Sequence, residues 1–343
     1  MKKEILVLGN FGYFGKQLDG QTVKTQVLYS SLCQKYDNVD FIDVSYGQLK
    51  FLLRVIFVIS SYKEVYFLPG KRMLYAFMPI IFFLNKLSLT KVHYVVVGGW
   101  LNELLTPLFI RYLRYFDSVN VELESMKKRL VDNGIKAFVL PNYREYEFET
   151  KAIGINNKVP CLKLVYFSRV MREKGIFDAI DLIIKCNSNN VNVTFSIYGT
   201  LCFSCEKDSF KFLELVNSIK NISFFGELNS AEIDEYLVNY DVLLFPTFYK
   251  GEGLPGCIVD AKRNGLMVLC SDWKYNSEIV QEGIDGFIIS DFKDGEVINK
   301  LEILSNDKSL LLEMKNNSYR SSKNYSNLAF EIWFNNLHLN QIQ

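Results

Sequence analysis

Twelve short runs of β-branched and aromatic residues, each followed by polar or helix-patterned chain, constrain this sequence more than any other feature. The first six are ILVLG (5–9), VDFIDV (39–44), EVYFL (64–68), KVHYVVV (91–97), SVNVE (118–122) and AFVLP (137–141). Stretches such as TVKTQVLYSSLCQKY (22–36) lie between them and carry Val23, Val27, Leu28 and Leu32 at helical spacing. A polar, turn-containing segment interrupts the alternation near 141–160. It then resumes with LKLVYFS (162–168), VTFSIYG (193–199), ISFFG (222–226), DVLLFPT (241–247), MVLCSD (267–272) and GFIIS (286–290). Continuous apolar strands alternating with helices form parallel sheets covered on both faces. The pattern therefore predicts an α/β chain of two Rossmann-like, doubly wound domains at 1–150 and 151–315. A C-terminal helix over 316–343 follows, carrying Tyr319, Tyr325, Phe330, Trp333 and Phe334. An aromatic helix must bury its face, and the simplest expectation packs it on its own domain. A length of 343 residues fits two domains.

Composition narrows the function. With 49% hydrophobic residues the chain has material for two cores. Its formal net charge of +1 argues against nucleic acid as a partner. That balance hides an asymmetry: residues 1–155 hold 20 Lys and Arg against 14 Asp and Glu, leaving 19 against 24 for the remainder. Only two histidines occur, His93 in an apolar run and His338 near the end, which disfavours His-built metal sites and Ser-His-Asp chemistry. Seven scattered cysteines suit a reducing cytoplasm better than a disulfide framework, and one CxxC (Cys202, Cys205) is weak evidence for a metal. The opening MKKEILVLGN reads as a first strand rather than a signal peptide. The apolar segments 51–59 and 73–84, interrupted by Arg54 and Pro79, fall short of the ~20 residues of a spanning helix. The expectation is a cytoplasmic protein without a transmembrane segment.

Open α/β sheets bind ligands at the carboxyl ends of their strands, and two such domains facing each other would form a cleft. The segment after strand 241–247, PTFYKGEGLPGCIVDAKRNG, places Gly251, Gly253, Pro255 and Gly256 ahead of a helix from about Cys257 to Asn264, closed by Gly265. Backbone N–H groups at such a helix start favour an anion, here a phosphate. Glu252 and Asp260 frame the loop. A glycosidase would need two acids flanking one bond, which spacing cannot establish. After strand 162–168, Arg169 and Lys174 offer a forked donor and a mobile ammonium suited to a diphosphate. A third loop, Tyr198-Gly199-Thr200, would let a nucleotide approach the backbone. GNFGYFGKQLDGQTVKT (9–25) places Gly9, Gly12 and Gly15 outside the GxGxxG spacing, which disfavours a nicotinamide dehydrogenase.

In these segments the chain resembles the retaining nucleotide-sugar glycosyltransferases of family 4, which have the GT-B fold. The resemblance rests on PNYREYEF (141–148), FSRVMREKG (167–175), IYGT (197–200), the long segment 224–265 and SDWKYNSEIVQEGIDGFII (271–289). It covers the second half well and the first half only in pattern. It implies that Arg169 and Lys174 hold the donor diphosphate and that Glu252 contacts the donor sugar. Gly256, Cys257 and Ile258 would cradle sugar and phosphate, and Asp260 would bind the ribose where the family usually has Glu. Segment 9–25 resembles the family's first glycine-rich loop, a resemblance that implies donor contacts from Gly20 and Gln21; a plain flexible loop is the alternative. Where the family often has a His near the reacting sugar, this chain has Gly98-Gly99-Trp100.

The implied reaction moves a hexose from a nucleotide-diphosphate sugar, UDP-linked by preference, to a saccharide acceptor in surface polysaccharide synthesis. It needs no cofactor and no metal. The basic first half interleaves Lys50, Arg54, Lys63, Lys71, Arg72, Lys86, Arg111 and Arg114 with Phe51, Phe57, Tyr62, Tyr75, Phe77, Phe82 and Phe83. That mixture suits a lipid-linked acceptor and peripheral attachment to an anionic inner membrane face. Solvated helices covering a sheet would give the same composition. Two other readings fit the architecture: a nucleotide-sugar epimerase, and a non-catalytic nucleotide-sugar-binding partner of another transferase.

Overall fold

The computed structural model describes residues 2–13, 19–44, 58–86, 90–154, 161–293 and 295–339, with side chains left aside at Arg72 and 83–86. Gly15, Lys50, Phe51, Arg54 and Phe57 lie outside the described residues, as do the side chains of Arg72, Phe83 and Lys86. The chain divides into two units. One comprises Met1–Glu147, Gly253–Pro255 and Tyr325–Gln343, the other Phe148–Glu252 and Gly256–Asn324.

All twelve apolar runs form strands. In the first unit β1 (Lys3–Gly9), β2 (Val39–Asp43), β3 (Tyr62–Leu68), β4 (Lys91–Val95), β5 (Ser118–Val121) and β6 (Ala137–Val139) make one sheet in the order β2-β1-β3-β4-β5-β6. Every pairing is parallel. Ile5, Leu6, Val7 and Leu8 of β1 are all buried, because a strand covered on both faces has no solvent side on which to alternate. The order reverses between β1 and β3, so the chain leaves Gly9 and Leu68 at the switch point of this sheet.

The second unit repeats the plan. β7 (Leu162–Phe167), β8 (Val193–Tyr198), β9 (Ile222–Gly226), β10 (Val242–Phe245), β11 (Met267–Ser271) and β12 (Gly286–Ile289) lie in the order β12-β11-β10-β7-β8-β9, again all parallel. Its switch point falls between β7 and β10. The loops leaving Phe167 and Phe245 are the two that carry Arg169, Lys174 and Glu252. Several strands end one or two residues before the apolar run does, as in β4 and β10, because those last residues already belong to the loops.

The C-terminal region differs from the expectation of one helix on its own domain. Helix Lys308–Ser321 belongs to the second unit, a 3-10 turn (Ser322–Tyr325) intervenes, and helix Asn327–Leu339 belongs to the first. Trp333, only 1% exposed, donates through Nε1 to Asn120 Oδ1 at 2.8 Å and joins Tyr66 and Phe330 in the first core. A buried indole N–H needs an acceptor, and Asn120 on β5 supplies it.

Helix Lys71–Lys86 runs through Pro79. Among the described residues no helix is long and apolar enough to cross a membrane. The aromatic residues interleaved with the basic ones divide: Tyr62 and Phe77 are core, whereas Tyr75 is 47% exposed. All seven cysteines are free.

Candidate active site

Loop 246–252 is pinned to the end of β11. Ser271 Oγ donates to the Thr247 carbonyl at 2.5 Å, and Trp273 Nε1 donates to the Tyr249 carbonyl at 2.8 Å. On the β7 side Phe248 N–H donates to the Glu173 carbonyl at 2.8 Å. Gly175, at φ 76°, lies so close that a Cβ would stand 1.9 Å from the Pro246 carbonyl oxygen. No other residue fits there without moving the loop.

This contact brings Lys174 to Glu252. The ammonium, 7% exposed, pairs with Oε1 of the carboxylate, 5% exposed. Thr247 Oγ1 lies 3.2 Å from the same oxygen. The aromatic faces of Phe245 and Tyr249 lie 5.3 and 5.2 Å from the Lys174 nitrogen. A buried charge pair is costly unless it is well supported, and the Thr247 hydroxyl and the two ring faces offset part of that cost. The sequence assigned Lys174 to phosphate and Glu252 to sugar; the structure joins them to each other.

Arg169 differs. Its backbone carbonyl accepts from Tyr166 Oη at 2.8 Å, and its exposed guanidinium stacks over the Tyr249 ring at 5.3 Å. Among the described residues the guanidinium has no hydrogen-bond or ion-pair partner, so its forked donors remain available. Gly199, at φ 146°, is needed for a nearby reason: a Cβ there would meet the Ser168 carbonyl oxygen at 1.9 Å. The close approach it permits is to the backbone just ahead of Arg169.

Helix Gly256–Arg263 starts four residues after Glu252 and carries Gly256, Cys257, Ile258 and Asp260 in its first turns. Ile258 and Asp260 are buried, and burial pushes the Cys257 thiol up to about 12, so it stays protonated near neutrality. The helix start and the two cations supply the donors that an anion requires.

Gly20 and Gln21 stand in the first unit. Gly20 opens helix Gly20–Cys33, and the Asp19 carboxylate already accepts from the Gln21 and Thr22 amides at 3.0 and 2.9 Å. The Gln21 side chain donates to the Leu68 carbonyl at 3.1 Å. Gly98, at φ 86°, leads into Trp100, whose Nε1 donates to the Val97 carbonyl at 2.9 Å. Both histidines converge elsewhere: His93 Nε2 and His338 Nε2 each lie 3.7 Å from Glu64 Oε2. Sequence reading missed Thr247 and Tyr249 as members of the cation-binding loop. An aromatic residue four positions beyond the end of β10, in the loop that carries Glu252, was the available signal.

A family model described as glycosyl transferases group 1 matches residues 147–321, just over half of the chain. The chain belongs to this family. The chain is 31% identical over 140 residues to the capsular polysaccharide biosynthesis glycosyltransferase CapH of Staphylococcus aureus. That match covers 39% of this chain and spans 37% of the relative's length. Among solved structures, Anabaena HepE in complex with UDP superposes with a TM-score of 0.73 at 17% identity, covering all of both chains. Sucrose-phosphate synthase from Thermosynechococcus elongatus gives a TM-score of 0.72 at 13% identity, likewise over both whole chains. These likenesses show the GT-B fold for this group 1 member.

Proposed function

We propose that the protein is a retaining hexosyltransferase. It takes its sugar from UDP and passes it to a saccharide acceptor, lipid-linked, during surface polysaccharide assembly. The observation that carries this reading is an Arg169 guanidinium that stacks on Tyr249 and has no hydrogen-bond or ion-pair partner among the described residues, beside a buried Lys174–Glu252 pair at the switch point of a parallel sheet. Support for the nucleotide comes from HepE, which holds UDP, and for the pathway class from CapH, named for capsular polysaccharide.

In the proposed reaction the bond from the sugar's anomeric carbon to the β-phosphate oxygen breaks, and a bond from that carbon to an acceptor hydroxyl oxygen forms on the same face. The hydroxyl proton passes to a phosphate oxygen, and UDP leaves. Charge grows on the diphosphate as its bond breaks. Arg169, Lys174 and the amides of Gly256–Ile258 stand preorganised for that charge, each such donor lowering the barrier by about 3–4 kcal/mol. Glu252 accepts from sugar hydroxyls and faces the positive character that develops on the sugar. Asp260 takes the ribose. Cations and exposed aromatic rings of the first unit, Tyr75 among them, meet the headgroup region that carries the acceptor.

A calorimetric titration with UDP, GDP, dTDP and ADP, followed by product analysis with matching radiolabelled sugars and a lipid extract, tests this. UDP binding and acceptor-dependent UDP release are expected. An epimer formed without acceptor would replace transfer with the epimerase reading, and binding without any turnover would leave a non-catalytic partner.

A further inference from the structure

Glu122 follows β5 with its side chain 1% exposed and pairs with Lys24, equally buried, at 3.1 Å. Lys24 Nζ has three acceptors, Glu122 Oε1, the Val96 carbonyl and the Leu140 carbonyl, each at 3.1 Å. An ammonium has three N–H donors, so nothing of it is left for a ligand. Desolvation lowers the Lys24 pKa and the adjacent carboxylate opposes that fall. An apolar pair of equal volume would often stabilise a core better, so the charges call for a use beyond packing.

The second carboxylate oxygen points to that use. Glu122 Oε2 accepts the backbone N–H of Leu254 at 2.9 Å. The carbonyl of the same residue accepts from Asn142 Nδ2 at 3.1 Å, and Asn142 is 4% exposed. Leu254 is therefore gripped on both sides of its peptide backbone. Gly253 fits so closely that a Cβ would stand 2.2 Å from Glu122 Oε2 and 2.7–2.8 Å from Gly98. Gly98 belongs to the Gly98-Gly99-Trp100 segment that stands where the family often has a His. Gly253–Pro255 belongs with the first unit and is the tripeptide between Glu252 and the first residue of helix Gly256–Arg263.

We propose that Glu122, paired with Lys24, is a positioning residue that fixes the Leu254 backbone and thereby sets Glu252 and the Gly256–Ile258 amides for the donor. The inference rests on the donor-site reading above. It acts through geometry alone: a carboxylate oxygen at a fixed place holds a loop whose two ends carry the sugar acceptor and the phosphate donors.

Two double variants separate this from a packing role. Lys24→Met with Glu122→Gln removes both charges and keeps an oxygen for the Leu254 N–H. Lys24→Met with Glu122→Leu removes both charges and the oxygen. The first is expected to bind UDP within about threefold of the parent and to keep the 250–258 amides protected from hydrogen exchange. The second is expected to bind at least about tenfold more weakly and to exchange faster there, since a buried donor left unpaired loses at least that factor, and the loss of the Lys24 bonds to the Val96 and Leu140 carbonyls is common to both variants and cancels in the comparison. Gly253→Ala, which leaves the pair intact, supplies the same comparison should either double variant fail to fold. Its methyl group displaces the loop from Glu122, so it should exchange faster at 250–258 and bind UDP more weakly than the parent. Equal exchange and equal affinity in the two double variants, or parental behaviour of Gly253→Ala, would overturn the positioning role. Absence of UDP binding by the parent would instead refute the donor reading, with the exchange data still deciding the grip on Leu254.

Discussion

Glu252→Gln separates the charge of this side chain from its size. In the folded protein the Glu252 carboxylate is 5% exposed, paired with Lys174 and within 3.2 Å of Thr247 Oγ1. The amide oxygen of Gln can still accept from both, so the site keeps its hydrogen bonds and loses the compensating charge. Removing one partner of a buried pair costs about 3–5 kcal/mol when nothing replaces it. Here the retained amide bond and the rings of Phe245 and Tyr249, at 5.3 and 5.2 Å, offset part of that. Cation–ring contacts of this kind contribute about 0.5–2 kcal/mol each. A stability loss of about 1–2 kcal/mol is expected, small enough to leave the enzyme folded at assay temperature. In the proposed reaction the catalytic effect is larger, because there the carboxylate would face the sugar where positive character develops. We expect kcat/KM to fall about 100-fold, or ~2.7 kcal/mol at 1.36 kcal/mol per decade. Affinity for bare UDP should hold or rise, since Lys174 is freed from its anionic partner. Denaturant unfolding, UDP calorimetry and steady-state transfer on one preparation test the three statements together. Parental kcat/KM in a folded variant would remove Glu252 from the reacting centre and undermine the donor-site assignment.

Arg169→Ala should weaken UDP about 10- to 100-fold while leaving uridine unchanged, because a charge-assisted bond to phosphate contributes about 1.5–3 kcal/mol; calorimetry with both ligands checks it. His338 has its pKa raised by the adjacent Glu64 carboxylate, and Glu64 is held well below the usual carboxylate range by the two imidazoles despite its burial. A raised folded pKa means that the His338 contribution is complete below the unfolded value of about 6.5 and is lost as pH rises through the folded value. The Tm gap between parent and His338→Gln should therefore be widest near pH 6 and shrink toward pH 9, and a gap that widens with pH would refute the pairing. If the basic first half meets an anionic surface, the protein should sediment with acidic vesicles at low salt and leave them as salt rises. Lys71→Glu with Arg72→Glu should weaken that attachment without changing UDP affinity.

The strands were legible because burial on both faces writes itself into sequence as an unbroken apolar run. MVLCSD is such a run, and four of the five residues of β11 are buried. The two charged loops were legible because a parallel sheet with an order reversal sends its ligand loops from two known strand ends. The home of the last helix was not. Trp333 and Phe330 announce a need for burial, but nothing near them names the acceptor, which is Asn120, 213 residues earlier. The break at 322–325 was equally hidden, since Ser-Ser-Lys-Asn-Tyr is a helix-compatible polar stretch when read locally.

The pairings among charges show where local reading stops. Lys174 and Glu252 were each identified by their loop, yet they lie 78 positions apart, and their mutual contact depends on Gly175 accepting the Pro246 carbonyl at a distance no side chain would allow. Lys24 is the sharper case. Within TVKTQVLYSSLC a lysine reads as the solvated face of an amphipathic helix. In the fold it is 1% exposed, because its acceptors arrive from 72, 98 and 116 residues away, at the ends of β4, β5 and β6. Each of those strand ends was predicted, but the convergence of three carbonyl and carboxylate oxygens on one ammonium follows only once the strand order is known. A lysine becomes a core residue here because the parallel sheet presents its acceptors together at one edge. The oxygen left over on Glu122 is then free to hold Leu254, so the topology that hides the cation also supplies the loop with its anchor.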